Sequence, residues 1–193
     1  MGVGTQMPVE ITKRRFDVDD YHRMAKAGIL HRGDRVELID GEIVAMTPIG
    51  PRHNAAVDRA LRMLVAVAGD QAIVRVQGSI RLSRFHEPQP DIVLLRPRND
   101  FYASQLPGAA DTLLVIEIAE SSLEYDRQVK GRIYAEAGIP EYWLVDLERR
   151  ILLRFATPKD GVYQRTRETG ATDSVAPELL PSCVLRVSDL LAD

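Results

Sequence analysis

Three stretches of the chain carry apolar residues at the spacing of an α-helix. The longest begins at Pro51 and ends at Gly69, and its apolar positions recur every three or four residues: Val57, Leu61, Leu64, Val65 and Ala68. A shorter helix is predicted between Asp17, a residue type that caps helix N-termini, and Gly28, which can end one. The third is predicted over residues 124–137, capped by Ser121 or Ser122 and closed by Gly138 and Pro140.

Other segments have the patterns of β-strands. Two apolar runs flank Asp40-Gly41, a dipeptide typical of a tight hairpin turn. Residues 72–83 alternate like a half-buried strand, whereas residues 91–95 and 113–119 are continuous apolar runs, typical of central strands covered on both faces. Later strands are predicted over residues 141–146, 151–156, 161–168 and 183–187, followed by a terminal helical turn at 188–192.

Together these elements predict an α/β or α+β fold, with a mixed β-sheet flanked by helices. Residues 113–146 read as a strand, a helix and a second strand, which would cross over right-handed and pair in parallel. The last third of the chain is predicted to be antiparallel. Of the 193 residues, we expect 1–15 to form a loose N-terminal arm and 16–193 to form one domain.

Composition and charge narrow the function. The chain is 45% hydrophobic and 27% charged, which is ordinary for a globular protein. Its single cysteine, Cys183, excludes an internal disulfide. The sequence has neither a membrane-length apolar run nor a signal-peptide core, so we expect a cytoplasmic protein. The net charge of −3 argues against a protein that coats nucleic acid. Five arginines lie between Arg75 and Arg98 against two acids; they form either a local basic surface or solvated strand faces.

Two carboxylates lie within or next to apolar segments. Glu117 interrupts a run that otherwise predicts a buried strand, and Asp91 opens the preceding strand. If the strands are neighbours, the carboxylates converge at one end of the sheet, where they repel unless they share a proton or a divalent cation such as Mg²⁺ or Mn²⁺. In the alternative interpretation Asp91 caps a turn and Glu117 meets an arginine.

Lys130 lies on the third predicted helix, beside an inward stripe of Val129, Ile133 and Ala137 and one turn from both Asp126 and Tyr134. It is either half of an ordinary surface ion pair with Asp126 or a cation aimed at the carboxylates. Glu37, beside two apolar residues, is a third acid of interest, whereas Glu42 is expected to be exposed. His53, near a helix N-terminus, is either a capping or surface histidine or part of a site.

The order of these residues resembles the Uma2 family of proposed restriction endonucleases, within the PD-(D/E)XK nuclease superfamily. The resemblance rests on ELIDGE (37–42), Pro90-Asp91, VIEI (115–118), Lys130 and the block from Tyr134 to Asp146, YAEAGIPEYWLVD, and it runs from about residue 16 to 191. The superfamily pattern places a lysine two residues after the glutamate, where this chain has Ala119. The resemblance therefore implies a lysine that has migrated to the helix, Lys130.

The resemblance implies a restriction-endonuclease-like fold and metal-dependent hydrolysis of DNA phosphodiester bonds. Asp91, Glu117 and the carbonyl of Ile118 would hold Mg²⁺ or Mn²⁺, which would activate a water molecule. Lys130 would orient that water and offset transition-state charge, and Glu37 would help to position the ion. His53 would be an auxiliary residue.

Two other functions stay open from the sequence. A catalytically silent protein of the same fold could bind nucleic acid or a protein partner without cutting, and a metal-dependent hydrolase could act on a small phosphate ester. A homodimer is compatible with a two-fold DNA target, although no residue pattern shows one.

Overall fold

The computed structural model describes residues 13–31, 33–46 and 50–191. Its α-helices are α1 (Val18–Lys26), α2 (Pro51–Ala68), α3 (Leu123–Tyr125) and α4 (Gly131–Glu136); a π-helical turn, Asp126–Lys130, joins the last two. Its strands are β1 (Val36–Ile39), β2 (Glu42–Ala45), β3 (Ile73–Val76), β4 (Ile92–Leu95), β5 (Thr112–Ala119), β6 (Glu141–Asp146), β7 (Ile151–Lys159), β8 (Val162–Gly170), β9 (Ser174–Val175) and β10 (Leu185–Arg186). Short 3₁₀ turns lie at Gly69–Gln71, Ala109–Asp111 and Val187–Leu190.

Six strands form the central sheet in the order β3-β4-β5-β6-β7-β8. Only the β5–β6 pair is parallel, because the helical segment α3–α4 carries the chain back between them; the other pairs are antiparallel. The prediction of a mixed α+β sheet flanked by helices is therefore confirmed, as are the parallel unit and the antiparallel last third.

The two faces of the sheet bury two separate cores, as strand alternation requires. Ile116, Ile118 and Trp143 pack on the face covered by α2 and the C-terminal segment. Val115 and Ala119 point to the other face, against Ile133 and Tyr134 of α4. Every residue of β4 and β5 is buried, in agreement with their continuous apolar sequence. Glu117 faces the α4 side, as Val115 and Ala119 do.

Helix α2 begins and ends where the sequence predicts, with Pro51 at its first position and Gly69 after its last. Its buried stripe runs through Ala56, Ala60, Leu64 and Ala68, joined by Val57, whereas Val65 is 52% exposed. Val65 lies one residue after Leu64, about 100° further round the helix, and so falls outside this buried stripe.

The hairpin β1–β2 forms a separate two-stranded sheet, paired in the register Val36 to Ala45. Asp40 and Gly41 both adopt positive φ, as a tight two-residue turn requires. The isolated bridge between Leu38 and Glu87 joins the hairpin to the segment that leads into β4. The hairpin predicted around Asp40-Gly41 is confirmed.

The strand predicted over residues 72–83 is shorter in the structure. Strand β3 ends at Val76 because Gln77 has a φ of 46° and turns the chain away, after which residues near 81–83 make only isolated bridges. The predicted strand 183–187 is likewise reduced to Leu185–Arg186. The predicted arm 1–15 lies mainly outside the described residues, and its separation from a single domain stays a prediction. No helix among the described ranges is both long and apolar enough to cross a membrane.

Candidate metal and catalytic site

A cavity of about 370 Å³ opens where the end of β5 meets the start of β4. The β1–β2 hairpin, the N-terminus of α2 and the first turns of the α3–α4 segment complete its walls. Its charged lining includes Arg35, Glu37, Asp91, Glu117, Asp126 and Lys130. The cavity therefore gathers side chains from segments far apart in the sequence.

Asp91 and Glu117 meet because β4 and β5 are antiparallel neighbours. The backbone N–H of Asp91 donates to Oε2 of Glu117 at 3.3 Å, and the backbone N–H of Ile118 donates to Oδ2 of Asp91 at 2.8 Å. The two side chains are only 8% and 2% exposed. The sheet thus fixes two carboxylates at one edge of the cavity.

Lys130 contacts acidic residues on two different strands, Glu37 on β1 and Glu117 on β5. Its ammonium lies 3.0 Å from Oε1 of Glu117 and 3.0 Å from Oε1 of Glu37, and the lysine is 4% exposed. The whole Lys130 side chain is buried, so it does not form the ordinary surface ion pair that the sequence left open. Tyr134, one turn later, donates its hydroxyl to the same Glu117 Oε1 at 2.6 Å.

The π-helical turn explains why Lys130 faces inward. In this turn the N–H of Gly131 bonds to the carbonyl of Asp126, five residues earlier instead of four. Such a turn inserts a residue and changes which side chains share a face. Asp126, Lys130 and Tyr134 are consequently buried, while Val129 and Ala137, predicted to lead the inward stripe, are only partly buried.

The cluster has more negative than positive charge. Four carboxylates, Glu37, Asp91, Glu117 and Asp126, surround a single ammonium group. Burial raises the pKa of Glu117 well above its ordinary value, and the neighbouring acids raise it further, although Lys130 opposes them. Burial alone would lower the pKa of Lys130, but Glu117, Glu37 and Asp126 raise it well above normal, so the lysine is charged.

Asp126 responds to the same surroundings. Burial is the main reason that its pKa rises to about 6, with Lys130 and the hydroxyl of Ser122 acting in the opposite direction. Ser122 is the residue before α3, but its hydroxyl donates to the Asp126 carboxylate and caps no backbone N–H. Raised pKa values are what uncompensated negative charge in a dry site produces.

His53 lies against Asp91. Its Nε2 is 3.1 Å from Oδ2 of Asp91, and the imidazole is buried in the first turn of α2. Burial by itself would lower the pKa of His53, but the hydrogen bond and the charge of Asp91 raise it above its ordinary value. Nδ1 of His53 has no hydrogen-bond partner in the described part of the chain.

The donor set fits a hard divalent cation that retains water ligands. Within the described ranges no three His, Cys, Asp or Glu side chains form a preassembled metal cluster. Mg²⁺ does not require one, because it is usually held by one or two carboxylates and keeps several waters. Among the described residues none donates to Oδ1 of Asp91, and Oε2 of Glu117 accepts only the long bond from the Asp91 N–H.

The structure brings together all the side chains that the sequence singled out: Glu37, Asp91, Glu117, Lys130 and His53. Sequence reasoning gave no role to Tyr134, Asp126 or Arg35. The i, i+4 spacing of residues 126, 130 and 134 was the available signal for the first two. The arginines between 75 and 98 lie outside the cavity lining: Arg81 pairs with Asp19 and Arg84 with Asp17, as solvated strand-face residues would.

The mixed sheet flanked by helices is a nuclease-like fold, as comparison with known families and structures shows. The chain belongs to the Uma2 family, described as "Putative restriction endonuclease", whose model matches residues 18–188. The resemblance to this family seen in the sequence is therefore confirmed.

Among solved structures, the chain is similar to one titled as a "putative nuclease belonging to DUF820", from Anabaena variabilis ATCC 29413. The TM-score is 0.73 at 18% sequence identity, over 91% of this chain and 97% of that one. At this identity the similarity establishes the fold. No curated protein sequence matches the chain.

Proposed function

We propose that the protein is a divalent-metal-dependent endonuclease that hydrolyses DNA phosphodiester bonds in the cavity at the end of β5 and the start of β4. The observation that carries the proposal is the position of Lys130. Its ammonium lies 3.0 Å from Glu117, although it comes from a helix and not from the strand. A buried amine beside two carboxylates supplies the charge that the missing strand lysine would supply at position 119.

Asp91 and Glu117 are the residues that would hold Mg²⁺ or Mn²⁺, together with the carbonyl of Ile118. Bound there, the ion would lower the pKa of a water molecule and polarise the phosphoryl oxygen. The N–H of Ile118 and the imidazole of His53 both bond to Oδ2 of Asp91, which leaves Oδ1 without a donor among the described residues. His53 would thus act as an auxiliary that orients a metal ligand.

Lys130 would place positive charge beside the developing negative charge of the transition state and help to orient the attacking water. Glu37 forms an ion pair with the same ammonium at 3.0 Å, so it helps to hold the lysine in place together with Glu117. This arrangement gives Glu37 a positioning role and preserves the lysine's charge. The substrate is expected to be DNA.

The test is nicking of supercoiled plasmid by purified protein with Mg²⁺ or Mn²⁺, beside Asp91→Asn and Glu117→Gln. We expect metal-dependent nicking by the wild type and a loss of at least about 10²-fold in each variant, because each removes a charged ligand. Glu87→Gln is a matched control, since Glu87 is also a buried carboxylate but pairs with His22 outside the cavity. Nicking that survives both site substitutions would come from a contaminant and would remove the support for the proposal.

One observation favours the second candidate, a catalytically silent protein that binds nucleic acid or a protein partner. Lys130 already satisfies Glu37 and Glu117 at almost zero exposure, as a purely structural ion cluster would. The silent protein would show no nicking with either metal. DNA binding that persists in Asp91→Asn would then identify it.

A further inference from the structure

The hydroxyl of Tyr134 donates its hydrogen bond to Glu117. It donates to Oε1 at 2.6 Å, and the tyrosine side chain is completely buried between the sheet and the helical segment. Its ring contacts Tyr142, with the ring centroids 5.1 Å apart. The phenol therefore lies in a packed site where it has one orientation.

Glu117 consequently has two donors on one oxygen and a single weak donor on the other. Lys130 and Tyr134 both hold Oε1, at 3.0 and 2.6 Å, while Oε2 receives only the Asp91 N–H at 3.3 Å. Two donors on Oε1 fix the rotation of the carboxylate group. That rotation is what turns Oε2 toward Asp91.

We propose that Tyr134 is a positioning residue, which locks the Glu117 carboxylate so that Oε2 faces Asp91 and is available as a metal ligand. The inference rests on the proposed metal site and adds to it a residue outside the set of acids, lysine and histidine. A single ammonium could not fix the carboxylate alone, because Lys130 is shared with Glu37. The hydrogen bond from Tyr134 prevents the rotation of the Glu117 carboxylate that the shared lysine alone would permit.

Tyr142 offers a matched control within the same aromatic cluster. It too is completely buried, and its hydroxyl donates to a backbone acceptor, the Asp126 carbonyl, at 3.1 Å. Tyr134→Phe and Tyr142→Phe each remove one buried, hydrogen-bonded hydroxyl and retain the ring. Only the first removes a bond to Glu117, so the comparison separates positioning from a general loss of stability.

The first measurement is titration of Mn²⁺ by calorimetry into the wild type and both variants, each shown to be folded by circular dichroism. Partners of metal ligands typically contribute tenfold or more to affinity, so we expect about tenfold weaker binding by Tyr134→Phe and little change in Tyr142→Phe. Unchanged affinity in Tyr134→Phe overturns the proposal. An equal loss in both variants also overturns it, because the effect would then be one of stability.

The second measurement needs no metal. Crystal structures of the metal-free wild type and both variants should show Glu117 rotated or in more than one conformer in Tyr134→Phe alone. A Glu117 carboxylate that keeps its position in that variant overturns the positioning role. If the wild type binds no Mn²⁺, the proposed metal site fails, and the crystal structures still decide whether Tyr134 positions Glu117.

Discussion

Glu117 lies in a strand whose remaining residues are all apolar except a buried threonine, and Lys130 partly offsets the cost of burying its carboxylate there. A buried carboxylate without a partner would be protonated or would destabilise the fold. Lys130 and Tyr134 supply the partners, at 3.0 and 2.6 Å. The residue that the sequence marks as anomalous is thus the centre of the polar cluster.

Lys130→Met tests the electrostatic role of the lysine at this scale. Methionine keeps the length of the stem and removes the charge, so we expect turnover in plasmid nicking to fall by about 10²-fold or more. Metal affinity measured by calorimetry should stay nearly intact, because the substitution removes no ligand oxygen and Tyr134 still donates to Oε1 of Glu117 at 2.6 Å. Turnover equal to that of the wild type would refute the role assigned to Lys130.

Asp126 gives the protein a pH dependence of defined sign. Below about pH 3 it is protonated in both the folded and unfolded states; as the pH rises toward 6 the unfolded chain loses the proton and the folded protein retains it. The free energy of unfolding therefore falls through this window. A rise in pKa from 3.8 to about 6 corresponds to roughly 3 kcal/mol.

Asp126→Asn should remove this loss of stability. In urea unfolding with a chelator present, we expect the variant to match the wild type near pH 3 and to exceed it by on the order of 3 kcal/mol at pH 7. Asp58→Asn, which changes an exposed acid on α2, controls for net charge. An equal difference at both pH values would show that Asp126 does not titrate in this window.

At the scale of elements, the β1–β2 hairpin delivers Glu37 to the cavity, and its turn determines the register. A Cβ on Gly41 would lie 2.8 Å from Cβ of Arg15 and 3.0 Å from the Phe16 carbonyl, and the φ of Gly41 is 73°. Gly138, which ends the helical segment, has a similar φ of 77° but open space around it. A comparison of alanine substitutions at the two glycines therefore separates the cost of the positive φ from the cost of steric crowding.

Gly41→Ala is therefore expected to cost more stability than Gly138→Ala. The left-handed conformation alone costs about 1 kcal/mol for alanine, which is the whole expectation at residue 138. At residue 41 the clash with the preceding segment adds to it, so the loss should be at least about 2 kcal/mol. Chemical denaturation of the two variants measures the difference, and equal losses would mean that the segment near Arg15 yields easily.

At the scale of the whole molecule, the sequence predicted most of the architecture. Continuous apolar runs identified β4 and β5, and Asp40-Gly41 identified the hairpin, because these patterns are local. Trp143, in the EYWLVD strand, is fully buried, as aromatics in such strands usually are. The early end of β3 was missed because the positive φ of Gln77 has no signature in a non-glycine residue.

The site was less predictable than the sheet. The meeting of Asp91 and Glu117 followed from strand adjacency, whereas the sequence left the direction of Lys130 open and did not predict the π-helical turn, with its i to i+5 hydrogen bond. The contact between Tyr134 and Glu117 depends on the same turn. The catalytic assignment and the homodimer stay predictions.

Strand β8 closes the central sheet on one side, pairing with β7 alone among the described strands. An exposed edge strand of this length has unpaired N–H and C=O groups with which a strand of another chain could pair, and such pairing can lead to aggregation. Arg165, Arg167 and Glu168 are exposed along it, and bringing their solvated charges against a neighbour would be unfavourable. We therefore expect any pairing of subunits to use a surface other than this edge of the sheet.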